Sequence, residues 1–333
     1  MSGLPRICIY GAGSMGGYIG AALALAEAAE VTLVARGPHL AAMQANGIAL
    51  IDEAGNRRTA RCRAVGSGAE AGAQDYVVVV LKAPSVPPIV PELRKMFHAE
   101  TAVVTAQNGL PWWYFHKLAG PWEGRQLGSI DPGGAQWSGI GPERAIGCVM
   151  WGAAELVEAG VVKLRHANRM PIGEPDGSMS PRTERLSKAM AQAGLDAPVL
   201  PNIRDELWAK LWGNTSFNPV SALTGATLEQ LATDPDSREP IRLIMEETRA
   251  VAEKLGVRFG MSVEARIGAA KAVGAHKTST LQDLEKGRPM ELDALVGAVC
   301  ELGRLVGVPT PVTDIVYGLA RQRARLAGSY PPK

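Results

Sequence analysis

The first sixteen residues contain the pattern that most restricts the fold: a short apolar run, then a glycine-rich turn that opens an alanine-rich segment. Residues 6–10 read Arg-Ile-Cys-Ile-Tyr, and residues 11–16 read Gly-Ala-Gly-Ser-Met-Gly. This G-x-G-x-x-G spacing between a strand and a helix is the dinucleotide-binding fingerprint. Gly11 permits the tight turn, Gly13 lets the backbone approach a pyrophosphate at the helix N-terminus, and Gly16 lets helix and strand pack closely. The predicted cofactor contacts in this turn are Gly11, Ala12, Gly13, Ser14, Met15 and Gly16.

The residue after the second apolar run indicates which dinucleotide binds. Residues 31–35 form that run, and Arg36 follows it, twenty residues after Gly16. Proteins that bind NAD usually place Asp or Glu there, to bond the ribose 2'-hydroxyl. A guanidinium at this point instead suits the 2'-phosphate of NADP. We therefore expect NADPH/NADP+ as the cofactor.

Length and charge narrow the class of protein. The chain has 333 residues, and about 100–200 residues per domain is usual, so we expect two domains. The net charge is +2, and the basic residues are scattered, which gives no reason to expect nucleic acid or an anionic membrane as a partner. The N-terminus lacks the pattern of a secretory signal, and long uncharged apolar segments are missing. We expect a cytoplasmic protein.

The cysteines and histidines show no metal-ligand spacing. The four cysteines lie far apart and form no C-x-x-C pair, so we expect free thiols and no metal site. They are Cys8, Cys62, Cys148 and Cys300.

The first half of the chain alternates between strand and helix patterns, which predicts an α/β fold with a doubly wound, largely parallel sheet. The unbroken apolar run 77–81 is typical of a central strand buried on both faces. The predicted strands are 6–10, 31–35, 76–81 and 101–106, with late strands at 146–151, 161–164 and 169–172 that extend the sheet.

The second half changes to long helical patterns, in which Pro219 could kink or split the first helix. We predict an NADP-binding Rossmann-type domain over 1–200 and an all-α substrate and catalytic domain over 201–333. Apolar positions in the segment 290–306 could belong to a homodimer interface or to the core. The predicted helices are 203–222, 228–232, 240–255, 263–273, 281–286, 290–306 and 311–327.

Three polar residues recur every four positions within an otherwise apolar helix. Lys210, Asn214 and Asn218 share one helix face at this spacing. A polar stripe on a mostly buried helix costs free energy unless a partner satisfies it. A substrate that carries a carboxylate and a carbonyl is one such partner. Alternatively, the lysine reaches solvent and the asparagines bond to backbone.

Four further polar residues stand where ligands commonly bind. Lys82 and Asn108 follow predicted strands, at the edge where open α/β sheets bind ligands, although each also fits a strand end or a plain turn. Ser279 begins a capping-box pattern, Ser-Thr-Leu-Gln, and Glu291 falls in a first helical turn. Both could serve the helix alone.

Taken together, these motifs resemble the ketopantoate reductase (2-dehydropantoate 2-reductase) family. The matches keep the family's order from residue 6 to about 293, which is most of the chain. They are the glycine turn, Arg36, Leu81-Lys82-Ala83, Gln107-Asn108-Gly109, Trp208-Ala209-Lys210-Leu211 with Asn214 and Asn218-Pro219, and Ser279-x-Leu281-Gln282-Asp283 with Glu291.

The resemblance implies an NADP-dependent oxidoreductase that reduces a 2-oxo acid to a 2-hydroxy acid. Lys210 would be the general acid, because an ammonium can stabilise charge on the reduced oxygen and supply its proton. Glu291 would anchor that ammonium or accept a hydrogen bond from a substrate hydroxyl. Lys82 would lie by the cofactor and substrate, and Asn108 would contact the cofactor and hold substrate beside the nicotinamide. The remaining predicted substrate-binding residues are Asn214, Asn218 and Ser279.

One segment departs from the family pattern. Residues 110–145 are longer than the family's usual connection and hold four of the seven tryptophans. We expect either a lid or pocket for a bulkier 2-oxo acid, or an aromatic cluster that packs the insertion or a subunit contact.

Two other functions remain open. A β-hydroxyacid dehydrogenase also has a glycine fingerprint and a Lys/Asn pair, but it normally carries a glycine-rich run before that lysine. A non-catalytic NADP(H) sensor would need no proton donor such as Lys210.

Overall fold

The computed structural model describes residues 3–330, and its internal contacts divide the chain into two compact units. The first unit holds the residues up to 107 together with 111–126 and 133–203. The second holds 108–110, 127–132 and the residues from 204 onward. Two short pieces of the chain's first half therefore group with the helical second half.

The first unit contains eleven strands and six helices among its described residues. The strands are β1 Arg6–Tyr10, β2 Glu30–Val34, β3 Ile48–Ile51, β4 Arg57–Ala60, β5 Arg63–Val65, β6 Tyr76–Val79, β7 Ala102–Thr105, β8 Ala145–Cys148, β9 Trp151–Glu158, β10 Val161–Arg169 and β11 Ile172–Gly173. The helices are α1 Ser14–Leu25, α2 Gly37–Asn46, α3 Gly68–Ala71, α4 Val90–Arg94, α5 Ala135–Ile140 and α6 Pro181–Gln192.

Seven of these strands form the predicted Rossmann-type sheet. Their order is β11-β8-β7-β6-β1-β2-β5, and all neighbours pair in parallel except β11 with β8. All four residues of β6 are buried, as expected for a strand covered on both faces. The first unit thus confirms the predicted fold class, and it brings the carboxyl ends of β1, β2 and β6 to one edge.

A second sheet corrects the expectation that segment 161–164 extends the first one. The order of this sheet is β4-β3-β10-β9, with β10 antiparallel to β9 and parallel to β3. A turn at Gly160 closes the β9–β10 hairpin, so β10 pairs with β9 in the second sheet. The sequence pattern missed β4 because its residues Arg-Arg-Thr-Ala are largely exposed and lack an apolar run.

The second unit is mostly helical. Its helices are α7 Ile203–Thr224, α8 Leu228–Thr233, α9 Pro235–Lys254, α10 Val263–Ala272, α11 Ser279–Glu285, α12 Ala298–Val306 and α13 Pro311–Leu326. Helix α7 continues through Pro219 without a break, so the split is not seen.

The predicted helix over 290–306 is interrupted near its start. A π-helical turn, Asp293–Gly297, precedes α12. The apolar residues offered as a dimer face here belong to the core, since each is at most 1% exposed. They are Leu292, Leu295, Val296, Val299 and Leu302.

The four cysteines are free thiols, as predicted. Cys8, Cys148 and Cys300 are buried, and Cys62 is partly buried. Burial raises the pKa of Cys8 to about 12, so this thiol stays protonated and unreactive at neutral pH. Across the described residues, helices that combine the length and apolarity of a membrane span are lacking.

Candidate functional site

The glycine turn presents a backbone surface shaped for an anion. Gly11 has a φ of 100°, and the N–H groups of Gly11 and Ala12 lie 3.2 and 2.9 Å from the carbonyl oxygen of Val34. Helix α1 begins at Ser14, with Gly13 as its N-cap. A Cβ on Gly13 would meet nothing within 4 Å. The first N–H groups of α1 therefore face accessible space without a side-chain cap, which fits a pyrophosphate.

Gly16 is required for a different reason. A Cβ at this position would lie 2.2 Å from the carbonyl oxygen of Gly11 and 3.0 Å from Cγ2 of Ile9. Any larger residue would push α1 away from β1. The two glycines therefore differ in role. Gly13 leaves space for a ligand, whereas Gly16 allows α1 to pack closely against β1.

Two basic residues stand at the same edge of the sheet. Arg36 is exposed directly after β2 and is the N-cap of α2. Burial raises the pKa of Tyr10, the last residue of β1, and the positive charge of Arg36 opposes that rise. Arg36 therefore lies close to the strand that leads into the glycine turn. Lys82 follows β6, where the carbonyl of Leu81 accepts a hydrogen bond of 2.8 Å from Nε2 of Gln107.

A histidine that the motifs did not single out supports this turn. Nδ1 of His39 accepts a hydrogen bond of 2.9 Å from the N–H of Gly160. Nε2 therefore carries the ring proton and donates to the carbonyl oxygen of Ala12 at 2.6 Å. His39 connects the glycine turn to the β9–β10 hairpin, and the sequence contains no local signal for a contact over this distance.

The polar stripe of α7 lies on a mostly buried helix. Lys210 and Asn214 are partly exposed, whereas Asn218 is 4% exposed. Within the described part of the chain, Nδ2 of Asn218 is buried without a hydrogen-bond partner. Bonding to backbone therefore does not account for this amide, and a buried donor without a partner is costly. The apolar neighbours are at most 6% exposed; they are Leu207, Trp208, Leu211, Trp212 and Phe217.

Asn108 and Glu291 meet in the second unit although 183 positions separate them. Nδ2 of Asn108 donates to Oε2 of Glu291 over 3.4 Å, and Glu291 is 8% exposed. Gly109 has a φ of 89°, and a Cβ there would lie 2.4 Å from the carbonyl oxygen of Ala294. That oxygen also accepts the N–H of Leu110 at 3.3 Å. The segment 108–110 is therefore fixed directly against the π turn.

The π turn also holds α7. The hydroxyl of Thr215, which lies between Asn214 and Asn218, donates to the carbonyl oxygen of Leu295 at 2.7 Å. A π turn has a different backbone bonding pattern from an α-helix and often occurs at functional sites. Here it fixes α7 and the Asn108 segment relative to Glu291.

The end of the chain holds the π turn from its other side. The N–H of Met290 donates to the carbonyl oxygen of Ser329 at 2.8 Å. The hydroxyls of Tyr317 and Tyr330 both donate to Oδ1 of Asp293, that of Tyr330 at 2.6 Å. Backbone and side-chain bonds thus fix the residues on both sides of Glu291.

Ser279 does not cap its helix. Thr278 is the N-cap of α11, because its backbone is extended and its hydroxyl accepts the N–H of Leu281 at 3.2 Å. Ser279 is the first helical residue and is exposed. The capping-box assignment was wrong by one residue, which leaves the Ser279 hydroxyl without that structural task.

The aromatic run 112–115 of the insertion packs into the first unit. Trp112, Trp113, Tyr114 and Phe115 are each at most 4% exposed. Nε1 of Trp113 donates to the hydroxyl of Thr105, at the end of β7, at 2.8 Å. These four side chains therefore form core rather than a lid.

Comparison with family models gives two matches that cover most of the chain. The family described as "Ketopantoate reductase PanE/ApbA" matches residues 7–177. The one described as "Ketopantoate reductase PanE/ApbA C terminal" matches residues 202–324.

Individual proteins agree with this finding over nearly the whole length. A Mesorhizobium japonicum protein named 2-dehydropantoate 2-reductase is 51% identical over 325 residues, covering 98% of this chain and 99% of the relative. The crystal structure of a candidate ketopantoate reductase from Ralstonia solanacearum matches with a TM-score of 0.92 at 39% identity, over 98% of this chain and 100% of that one. The 2-dehydropantoate 2-reductase structure from Geobacter metallireducens matches with a TM-score of 0.82 at 27% identity, over 95% and 99%.

Proposed function

The chain belongs to the ketopantoate reductase family, and from that premise we propose that it reduces 2-dehydropantoate (ketopantoate) to pantoate with NADPH. The observation that carries this proposal is the buried, unpartnered Nδ2 of Asn218 on the same helix face as Lys210 and Asn214. A small substrate that accepts hydrogen bonds would satisfy this amide. The 51% identical relative aligns over 99% of its length, which supports the same substrate despite the aromatic insertion.

The first unit offers the groups for the cofactor. The N–H groups at the start of α1 would bind the pyrophosphate, and the space around Gly13 is open, since a Cβ there would meet nothing within 4 Å. The guanidinium of Arg36 would pair with the 2'-phosphate, which supports NADPH over NADH. Lys82, after β6, would lie by the cofactor at the same sheet edge. When bound, NADPH supplies a hydride.

The second unit offers the groups for the substrate. As the oxo carbon accepts the hydride, its C=O electron pair moves onto oxygen, and the Lys210 ammonium donates a proton to that oxygen. The product is a 2-hydroxy acid and lysine is left as the neutral amine, which solvent reprotonates. Asn108, Asn214 and Asn218 would orient the substrate through amide hydrogen bonds.

Glu291 and Ser279 would bind the rest of the substrate. Glu291 is buried and already accepts from Asn108, so it can receive a hydrogen bond from a substrate hydroxyl or hold the Lys210 ammonium. The exposed Ser279 hydroxyl, which does not cap α11, is available for the same purpose.

Turnover with a set of substrates tests this proposal. NADPH oxidation would be followed with ketopantoate, bulkier 2-oxo acids and 3-oxo acids, and the reverse reaction with 3-hydroxy acids. We expect the highest kcat/KM with ketopantoate. A preference for a 3-hydroxy acid would favour the β-hydroxyacid dehydrogenase alternative. Tight NADPH binding without turnover of any acid would favour the sensor.

We also propose that the protein acts in the cytoplasm as a homodimer. Ile315, Leu319 and Leu326 lie on one face of α13 and are 64%, 51% and 79% exposed. A second copy could cover this apolar face by two-fold symmetry. Light scattering after size exclusion should give twice the chain mass, and Leu319→Asp should give the monomer mass.

A further inference from the structure

Arg266 lies on α10, and its guanidinium has no hydrogen-bond or ion-pair partner among residues 3–330. By contrast, three other arginines of the same unit, Arg238, Arg242 and Arg249, each pair with a glutamate. Arg266 is only partly exposed. Burial lowers the pKa of this guanidinium. A partly buried cation without a counter-charge is costly and points to an anionic ligand.

The guanidinium of Arg266 contacts α7, the helix that carries the polar stripe Lys210, Asn214 and Asn218. A Cβ on Gly213 would lie 2.4 Å from Nη2 of Arg266 and 3.2 Å from its Cζ. The guanidinium therefore rests on the surface of α7 at Gly213. Gly213 is three residues after Lys210, and residues three apart are neighbours on a helix surface.

The presence of Gly213 within α7 supports a binding role for the Arg266 guanidinium. A glycine inside a helix is less favourable than alanine, so its presence in α7 needs a reason. Here the absent side chain leaves the space that the guanidinium fills. Any other residue would displace Arg266 from its place at Gly213, a surface neighbour of Lys210.

We propose that Arg266 binds the carboxylate of the 2-oxo acid substrate. In such an acid the carboxylate carbon is bonded directly to the oxo carbon. The group that binds the carboxylate must therefore lie near the group that protonates the oxo oxygen, and Gly213 is a surface neighbour of Lys210. A guanidinium can bond both carboxylate oxygens at once, which also orients the oxo group. This inference rests on the proposed function for the identity of the acid.

The first experiment compares a 2-oxo acid with its carboxamide, which has the same shape but no charge. In Arg266→Met, KM for the acid should rise about 10- to 100-fold, as expected when hydrogen bonds to a charged group are lost. The slow reduction of the carboxamide and the Kd for NADPH should stay unchanged. Arg249→Met is the matched control, since it removes an exposed, paired guanidinium from the same unit. Equal losses with acid and carboxamide would overturn the proposal.

Gly213→Ala separates binding from folding. The new Cβ would displace the guanidinium while keeping its charge, and alanine should make α7 at least as stable. We expect an unchanged or higher Tm together with a raised KM for the acid. An unchanged KM in this variant would argue against a role for the guanidinium at this position.

Binding of oxamate, a 2-oxo acid mimic that is not reduced, gives a readout independent of turnover. Tryptophan fluorescence would follow the titration, since Trp208 and Trp212 lie in α7. Wild type should bind oxamate at least tenfold more tightly than Arg266→Met, with Arg266→Lys between them. If wild type reduces no 2-oxo acid but shows this difference, the proposed function fails and the carboxylate site stands. Equal oxamate affinity in wild type and Arg266→Met, or no binding to wild type, would overturn the site.

Discussion

The glycine turn of the first unit and the polar constellation of the second unit are built in opposite ways. The polar constellation comprises Asn108, Lys210, Asn214, Asn218 and Glu291. The turn uses six consecutive residues, 11–16, and the groups that we propose for cofactor binding there are backbone N–H groups. The constellation uses side chains from segments far apart in the chain, and the carbonyls of the π turn Asp293–Gly297 hold two of those segments. A contiguous site is limited by local sterics, whereas a dispersed site depends on tertiary contacts.

The largest expected effect is a loss of turnover in Lys210→Ala without a loss of NADPH binding. Lys210→Ala removes the proposed proton donor from the second unit and leaves the first unit unchanged. We expect kcat to fall about 10²- to 10⁴-fold, the usual contribution of a general acid, while NADPH binds with its normal Kd. Stopped-flow turnover and NADPH fluorescence measure the two quantities.

A control makes this loss specific. Lys271→Ala removes an exposed ammonium from α10 in the same unit and should leave kcat unchanged. Turnover near the wild-type rate in Lys210→Ala would show that the proton comes from another group.

The glycine turn offers a steric test that divides folding from binding. Gly16→Ala places a Cβ 2.2 Å from the carbonyl oxygen of Gly11, so it should lower the free energy of unfolding by about 1–3 kcal/mol and weaken NADPH binding as well. Gly13→Ala places its Cβ in open space and should weaken NADPH binding with little change in Tm. Urea unfolding and NADPH titration would be run on both variants. Equal stability losses at the two positions would show that Gly13, like Gly16, is required for folding.

These two regions also differ in how far the sequence could predict them. The glycine turn and the Lys210–Asn218 stripe were visible because each depends on a spacing within one element. The Asn108–Glu291 contact spans 183 positions, and neither residue has a local pattern that points to the other. The family resemblance, rather than periodicity, grouped them.

Three other features could not be predicted from the sequence, because they too depend on tertiary contacts. They are the π turn, the pairing of β10 and the hydrogen bond of His39. The π turn interrupts an apolar pattern that fits a regular α-helix equally well, so the sequence does not reveal it. Strand β10 pairs with β3, more than a hundred positions earlier, and apolar alternation does not specify which sheet a strand joins. His39 supports the glycine turn through a hydrogen bond that only the folded chain defines.

A smaller effect is expected on the preference for NADPH over NADH. We propose that this preference depends on the side-chain charge of Arg36, whereas the glycine turn would bind either cofactor through backbone N–H groups. Arg36→Ala removes the proposed partner of the 2'-phosphate, so the affinity for NADPH should fall about tenfold or more, as for a lost charge-assisted hydrogen bond. The affinity for NADH should change little, because NADH has no phosphate there. Competition titrations of both cofactors measure the preference. A wild-type protein that prefers NADH tenfold would refute this role of Arg36.

The smallest effect concerns the tail that supports the dispersed site. Tyr330→Phe removes one of the two hydroxyls that donate to Oδ1 of Asp293. The free energy of unfolding should fall by about 0.5–1.5 kcal/mol, the usual value of one hydrogen bond. If the π turn fixes Glu291, KM for the oxo acid should rise while the Kd for NADPH stays constant. Tyr76→Phe is the matched control, since it removes a hydroxyl bond of 2.8 Å to the carbonyl of Arg182 in the first unit and should leave KM unchanged.

The pH dependence of Tyr330→Phe sharpens this last test. Burial, then the hydrogen bond and charge of Asp293, raises the pKa of Tyr330 above its ordinary value of 10.0. Because the folded state holds the proton more tightly than the unfolded chain, the stabilisation is complete below about pH 10 and is lost as the pH rises further. The stability difference between wild type and Tyr330→Phe should therefore be constant from pH 7 to about 9 and shrink above about 10. A difference that shrank already near neutral pH, or a KM that moved equally in Tyr76→Phe, would mean that the tail stabilises the second unit without positioning Glu291.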